Sequence, residues 1–193
     1  AGMPCISDPG EPLVQLCHKL GVPMEVVPGP SAAIAALAVS GQHTARFAFE
    51  GFLSVNRNQR TAHLEQLRQE QRTMIFYEAP HKLCRTLADM AAVFGGDRSL
   101  SLCRELTKIH EEVRLTTFAD AIAYYENTPP RGEFVLVVAG AVPQQEAQLT
   151  LEEAAERVRQ YVADGQKLTQ ACKTVAAETS HRKSDLYDAV QKD

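Results

Sequence analysis

The chain has 193 residues, 45% of them hydrophobic, and a formal net charge of −4. This length suits one sizeable core, or one domain with a small appendage. The negative charge argues against a protein that coats nucleic acid without sequence preference, because such binding depends on phosphate neutralisation. An RNA enzyme with a local basic patch is still allowed. No stretch approaches the roughly 18 apolar residues of a membrane span.

The cysteines and histidines indicate neither disulfides nor a metal site. The five cysteines are scattered, odd in number and without a CxxC pair: Cys5, Cys17, Cys84, Cys103 and Cys172. This usage is typical of reduced thiols in a cytoplasmic protein. The six histidines have no ligand spacing, so we expect no bound metal.

The first 41 residues predict loops that alternate with helices and a strand. A turn-rich loop, AGMPCISDPG, precedes a helix over 11–20, whose apolar residues recur at helical spacing. MEVVP (24–28) predicts a short strand, and VPGPSA leads into a helix of small residues over 31–40. This order is typical of the α/β class.

The next hundred residues predict further strands that alternate with helices. Strands are expected over 46–53, 73–80, 99–106 and 133–140, and helices over 61–71, 81–95 and 118–127. SVNRNQR, after the first of these strands, predicts a polar loop. Together the elements predict a largely three-layer α/β domain.

The last part of the chain is different in character. Residues 141–150 predict a linker, and 150–193 predict a small all-helical module whose three short helices permit a helix-turn-helix. Its basic residues could bind an RNA backbone, or belong to a solvated surface or a dimer contact: Lys167, Lys173, Arg182 and Lys183.

Candidate chemistry lies in the loops and at two strand ends. The PGP of VPGPSA stands directly before a helix, whose free N–H groups can hold an anionic or polar ligand, although an ordinary turn has the same spacing. FYEAPHK places Glu78 at the end of one strand, and CRELTK places Glu105 and Lys108 at the end of another. Strand ends of open α/β sheets bind ligands, but surface ion pairs would give the same pattern.

Common nucleotide and hydrolase motifs are missing. The sequence contains no GxGxxG, no GxxxxGK[ST] and no GxSxG. A dinucleotide-binding Rossmann site, a phosphate-loop NTPase and an α/β-hydrolase therefore have no support.

Six stretches together resemble one known family. AGMPCISDPG, VPGPSA, FEGFL, FYEAPHK, RELTK and PRGEFVLVV occur in the order and spacing of the ribosomal RNA small-subunit methyltransferase I family. That family belongs to the tetrapyrrole-methylase-like superfamily of S-adenosylmethionine-dependent enzymes. The resemblance implies a cytoplasmic, homodimeric enzyme that methylates the ribose 2′-oxygen of a cytidine in small-subunit (16S) ribosomal RNA. It covers residues 1–140, and the terminal helices resemble an extension found in many members.

The resemblance also implies a two-domain methyltransferase that lacks most of its first domain. Members carry a further half-domain upstream, which contributes the first glycine-rich cofactor loop. We therefore expect 1–41 to be the tail of the N-terminal α/β domain, 45–140 the second α/β domain and 150–193 a helical extension. The isolated chain is then expected to be weak or inactive.

In this superfamily two loops wall a cleft that holds the methyl donor. Carried over by motif, the resemblance implies the following donor-site residues: Ala1, Gly2, Met3, Pro4, Ile6, Ser31, Ala32, Tyr77, Leu106, Gly132 and Glu133. Small or backbone-presenting residues suit a sulfonium donor that needs close walls and little charge. Placing the acceptor oxygen in line with the methyl group should provide much of the rate acceleration.

The acceptor hydroxyl must lose a proton during attack, and a nearby side chain can accept it or stabilise the oxyanion. Glu105 and Lys108, and then Glu78, are the candidates, with catalysis by positioning alone as the alternative. For RNA, the family loop after GFL commonly carries a Pro, a Lys and an Arg. Here only Arg60 matches, and Arg57 is expected to replace the missing charge unless it is a solvated loop arginine.

Two other functions stay open. One is a methylase of the same superfamily that acts on a tetrapyrrole precursor, a corrin or a porphyrin. The other is a non-catalytic RNA-binding relative. FEGFL with its arginine-bearing loop, RELTK and the terminal module favour the RNA enzyme.

Overall fold

The computed structural model describes residues 2–142, 149–179 and 181–191. The chain divides into two compact units, Ala1–Val142 and Pro143–Asp193. The expected boundary between 1–41 and 45–140 falls inside the first unit and stays a prediction. Most of the predicted linker, 143–148, lies outside the described residues.

A five-stranded mixed sheet forms the centre of the first unit. Its strands are β1 (Phe47–Phe52), β2 (Thr73–Glu78), β3 (Ser99–Arg104), β4 (Glu112–Thr117) and β5 (Phe134–Val138), in the order β1-β2-β5-β3-β4. β1 and β2 are parallel, and the other neighbouring pairs are antiparallel. All five residues of β5 are buried. Its central place explains the unbroken apolar run FVLVV. Because both faces of the strand are covered, neither set of alternating side chains has to be polar.

Helices cover both faces of this sheet, which confirms the predicted α/β class. One face carries α3 (Arg57–Gln66), α4 (Pro80–Phe94) and α5 (Phe118–Asn127), whose apolar side chains share a core with β2, β3 and β5. The other face carries α2 (Ala32–Val39), which packs Ala33, Ala36 and Leu37 against the sheet. The alanines let α2 approach the sheet closely.

The N-terminal segment follows the prediction only in part. α1 (Glu11–Leu20) forms as predicted and ends at Gly21, which has a φ of 67°. The predicted strand over 24–28 is wrong, since none of these residues belongs to a strand. Val26 and Val27 are 74% and 84% exposed, and no described strand pairs with them. A strand needs a neighbour to pair its N–H and C=O groups.

Two further elements differ from the prediction. The predicted polar loop after β1 and the helix over 61–71 are wrong in their bounds, because α3 begins at Arg57 and ends at Gln66. The side chain of Asn56 accepts hydrogen bonds from the N–H groups of Asn58 and Gln59, which caps the helix one turn earlier. Strand β4 was not predicted, although EVRLTT alternates in the way that a half-buried strand does.

The second unit contains the three predicted helices. They are α6 (Leu151–Ala163), α7 (Leu168–Glu178) and α8 (Lys183–Gln191), and they share a small apolar core. Thr150 and Glu153 form a capping box at the start of α6. A helix-turn-helix function for this unit stays a prediction. Within the described residues, no helix combines the length and apolarity required to cross a membrane.

Candidate active site

The two proline- and glycine-rich loops of the N-terminal segment lie against each other. The Met3 N–H donates to the carbonyl oxygen of Pro30 at 3.0 Å, and the Gly29 N–H donates to the Met3 sulfur at 3.1 Å. A Cβ on Gly2 would lie 3.3 Å from the carbonyl oxygen of Pro30, which is closer than most real Cβ contacts. Glycine at position 2 therefore eases the close approach of the two loops.

Tyr77 attaches α2 to the end of β2. Its hydroxyl oxygen accepts a hydrogen bond from the Ala33 N–H at 3.0 Å. That N–H is one of the unpaired donors in the first turn of a helix, and the N-cap residue Ser31 makes no side-chain capping bond. The Tyr77 ring packs edge-on against Phe49 and Phe52, at centroid distances of 5.0 and 5.5 Å. Tyr77 thus fixes the start of α2 over the sheet edge.

A cavity of about 550 Å³ opens at this edge. Its walls are Ser7 of the first loop, Ala32 of α2, Phe52 at the end of β1, residues 77–81 after β2, and the start of β5 at 133–135. The carboxyl ends of the parallel strands β1 and β2 are the usual ligand-binding edge of an open α/β sheet. The volume lies within the ~300–1,000 Å³ of small-molecule sites.

The structure brings several of the predicted donor-site residues to this cavity. Ala32, Tyr77 and Glu133 line it, and Ser31 and Gly132 are their chain neighbours. Leu106 and Tyr77 both pack against the same buried apolar cluster. Ser7, Phe52 and His81 line the cavity and were not predicted, although all three stand in motifs that carried the resemblance.

Besides Ser31, Leu106 and Gly132, four predicted donor-site residues of the first loop do not line the cavity. Gly2 and Met3 belong to the paired loops, and Pro4 and Ile6 lie further along the first loop, where Ile6 is 46% exposed. Ala1 lies outside the described residues. Their contact with a donor stays a prediction.

Two of the three predicted proton acceptors belong to one charged cluster. The Lys108 ammonium lies 2.9 Å from Glu105 Oε1 and 2.9 Å from Glu133 Oε2, and the Glu133 N–H donates to Glu105 Oε1 at 2.8 Å. Gly132 has a φ of 81°, and a Cβ there would overlap the Glu105 side chain. The cluster therefore joins the turn after β3 to the turn before β5, next to the cavity.

These contacts set the charge of each group. Two hydrogen bonds hold the pKa of Glu105 below its ordinary value. The larger effect comes from the Glu133 backbone N–H and the smaller one from the Lys108 ammonium. Hydrogen bonds to the carboxylates of Glu133 and Glu105 raise the pKa of Lys108. Lys108 is therefore protonated at neutral pH, where it can stabilise negative charge but cannot accept a proton. Glu105 is ionised, and its low pKa makes it a weak base.

Glu78, the third candidate, lines the cavity but is buried. Its Oε1 accepts from the Ala79 N–H at 2.8 Å, and its Oε2 accepts from the Thr86 hydroxyl at 2.6 Å. Both oxygens thus bind α4 or the residue before it. A catalytic role for Glu78 stays a prediction beside this structural one.

The two predicted RNA contacts differ in exposure. Arg60 is only 2% exposed; its Nε donates to Asp89 at 2.7 Å, and its guanidinium also donates to the carbonyl oxygens of Ser54 and Val55. Its guanidinium therefore has a structural role within the loop, and an RNA contact by Arg60 stays a prediction. Arg57 is exposed in the first turn of α3 and remains a predicted contact.

The fold is that of an α/β protein, and a family comparison places it in the methylase class. Residues 1–122 match the family model described as Tetrapyrrole (Corrin/Porphyrin) Methylases. Among solved structures, the methyltransferase CobJ shares the fold with a TM-score of 0.55 at 19% identity, over 72% of this chain and 62% of that chain.

Curated relatives narrow the assignment. Ribosomal RNA small subunit methyltransferase I from Synechocystis sp. is 44% identical over 187 residues, which are 97% of this chain and 67% of the relative. The proteins of the same name from Mycobacterium tuberculosis (strain CDC 1551 / Oshkosh) and Bacillus subtilis are 42% and 38% identical, over 98% of this chain and 65% and 66% of their own lengths. The chain belongs to the ribosomal RNA small subunit methyltransferase I family, within the tetrapyrrole methylases. It spans about two thirds of the length of these relatives.

Proposed function

We propose that this protein transfers a methyl group from S-adenosylmethionine to the ribose 2′-oxygen of a cytidine in small-subunit ribosomal RNA. The observation that carries the proposal is the cavity between the first loop, α2 and the ends of β1, β2 and β5. The names of the relatives support methyl transfer and a ribosomal RNA substrate. The choice of a cytidine and of its 2′-oxygen comes from the motif resemblance alone.

The chemistry of the cavity walls suits this donor. Ala32, Phe52 and Tyr77 offer flat or small apolar surfaces for an adenosine group, and Glu78 and Glu133 bring carboxylates close to a ligand that carries positive charge. Ser7 of the first loop adds a small, uncharged side chain to the wall. When bound, S-adenosylmethionine supplies an electrophilic methyl group.

The residues beside the cavity then act on the acceptor. The rings of Tyr77 and Phe52 pack edge-on and form an apolar wall of the cavity, against which the acceptor can be positioned. The protonated Lys108, held between Glu105 and Glu133, can stabilise negative charge that develops on the acceptor oxygen. The proposed proton acceptor is a carboxylate, Glu105 or Glu78. Glu133 is a further candidate, because its side chain is 84% exposed.

RNA contact, assembly and location complete the proposal. Arg57 would contact the RNA backbone, as would the basic residues of the second unit, among them Lys173 and Lys183. We also propose a homodimer in the cytoplasm. The exposed Ile34 and Val39 on α2 are compatible with a subunit contact, and sedimentation velocity tests it.

Calorimetric titration with S-adenosylmethionine tests the site. Ala32→Trp fills the cavity and is expected to abolish saturable binding. Ala38→Trp, in the same helix but at an exposed position away from the cavity, is the matched control and should bind like the parent. Equal binding by both variants would place the donor elsewhere.

A second assay tests the acceptor. The protein is incubated with methyl-labelled donor and small-subunit ribosomal RNA, and the product is digested with alkali. A 2′-O-methyl group blocks cleavage at its own linkage, so the label should appear in an alkali-resistant dinucleotide that contains cytidine. Label in a base, or transfer only to a tetrapyrrole, would refute the proposed acceptor. If only a longer form of the protein binds the donor and transfers the label, residues outside this chain complete the site.

A further inference from the structure

A second, smaller cavity of about 280 Å³ opens on the same sheet edge. Its lining includes Arg104, Glu112, Tyr124, Tyr125 and Arg131. Phe134 of β5 pairs with Glu78 of β2 on one side and with Arg104 of β3 on the other. The two cavities are therefore neighbours along one edge, separated by the first residue of the central strand.

The smaller cavity has an excess of positive charge. A single carboxylate, Glu112, binds Arg104 at 3.1 Å and Arg114 at 2.7 Å, and hydrogen bonds from these arginines, Arg114 first, lower the pKa of Glu112. Arg131 is exposed and has no hydrogen bond or ion pair within the described ranges of the chain. Two guanidiniums thus bind the one carboxylate of the lining, and Arg131 adds a further positive charge to the same cavity, in a chain whose net charge is −4.

An ordered aromatic surface stands beside these charges. The Arg114 guanidinium lies 3.7 Å from the centroid of the Tyr124 ring, a cation–π arrangement that holds the ring in place. Tyr124 packs edge-on against Tyr125 at 5.0 Å, and Tyr125 packs against Phe134 at 6.0 Å. Tyr124 is nevertheless 37% exposed, so part of a fixed ring faces solvent.

We propose that this Arg104–Tyr124–Arg131 cavity binds a nucleotide of the single-stranded RNA substrate that flanks the nucleotide entering the larger cavity. Guanidiniums suit phosphate because their planar donors match its oxygens. Aromatic faces beside a basic groove hold unpaired bases by stacking. An acidic peptide would use the charges but would have no need for the ring. The inference rests on the RNA substrate of the proposed function. It means that residues outside the methyl-transfer cavity help to recognise the RNA strand.

Fluorescence anisotropy with a labelled single-stranded oligoribonucleotide tests this cavity without requiring methyl transfer. Arg131→Ala should weaken binding about tenfold at low salt and reduce the slope of log affinity against log salt by about one, as loss of a phosphate contact does. Arg131→Lys should restore much of the affinity. Tyr124→Leu should weaken binding and leave the slope unchanged, since the ring carries no charge.

Arg46→Ala is the matched control. Arg46 is exposed and has no side-chain ion pair among the described residues. It directly precedes β1, at the opposite end of the strands from the two cavities. Equal losses in Arg131→Ala and Arg46→Ala would overturn the inference, because they would reflect general charge only. No binding by the parent protein would also overturn it. Arg131 lies outside the larger cavity, so titration with S-adenosylmethionine tests the donor site independently of RNA binding. Donor binding without RNA binding would indicate a methyltransferase that acts on another acceptor.

Discussion

Helices α1 and α4 have similar apolar patterns and opposite burial. α1 buries no residue, and Leu13 and Leu20 are 64% and 65% exposed. α4 buries six, including Leu83 and Met90 with no exposure at all. An amphipathic pattern tells which face of a helix requires a partner, and the rest of the described structure supplies one for α4 but not for α1.

The contrast extends to the two regions that contain these helices. The sheet region, 47–138, has a continuous core, whereas residues 2–41 are held to it through α2, the Tyr77 hydroxyl and contacts of the first loop. The candidate active site lies where the two regions meet. Most of the buried core therefore belongs to the sheet region, and part of the candidate site belongs to a segment that buries fewer residues.

Paired truncations should show the largest difference between the regions. Leu136 in β5 is fully buried, and Leu136→Ala should lower the free energy of unfolding by about 2–5 kcal/mol through lost contacts and a cavity. Leu20→Ala, at the exposed end of α1, should change it by less than about 0.5 kcal/mol. Urea denaturation followed by circular dichroism measures both. A comparable loss for Leu20→Ala would show that α1 is covered in solution, and repeating the melts at several protein concentrations would test whether a second copy covers it.

Substitution of one glycine in each region should give a smaller difference in the free energy of unfolding. Gly21 after α1 has a φ of 67° and open space around its missing Cβ, while Gly132 before β5 has a φ of 81° and Glu105 in that space. Gly21→Ala should cost about 1 kcal/mol from backbone strain alone. Gly132→Ala should cost more, since Glu105 must also leave Lys108 and the Glu133 N–H. Equal melting temperatures for the two variants would contradict the packing of the Glu105 cluster.

The smallest expected effect is a pH dependence of stability, because the two regions also differ in their ion pairs. None of residues 2–41 takes part in an ion pair, whereas Glu70 beside β2 binds Arg72 at 2.7 Å. Hydrogen bonds from Arg72 lower the pKa of Glu70 from 4.5 to about 2. Because the folded-state pKa is lowered, the pair stabilises the fold above about pH 4.5, and this contribution is lost as the pH falls towards about 2.

Comparison of the parent with Glu70→Gln over this pH range tests the pair. The difference in unfolding free energy should be present at neutral pH and vanish at the acidic end. Arg72→Ala should show the same flattened profile. A difference that is independent of pH would assign the effect to packing.

Much of the fold could be predicted because its signals are local. The apolar run at 134–138 identifies a fully covered strand, and the proline and glycine punctuation identifies the turns before α2 and α4. The missed strand β4 had a local signal as well, the alternation in EVRLTT. The missed start of α3 depended on a single side chain, Asn56, whose capping bonds appear only when the backbone turns.

The sequence by itself determined the class of the fold, the order of most elements and the family, because periodicity and ordered motifs are properties of the chain alone. Only the tertiary structure decided that Arg60 is buried against Asp89, that Glu105, Lys108 and Glu133 form one cluster, and that Arg104 and Arg131 line one cavity. Each of these depends on partners far apart in sequence. A residue type states which interactions are available to it, and the packing of distant segments determines which of them it makes.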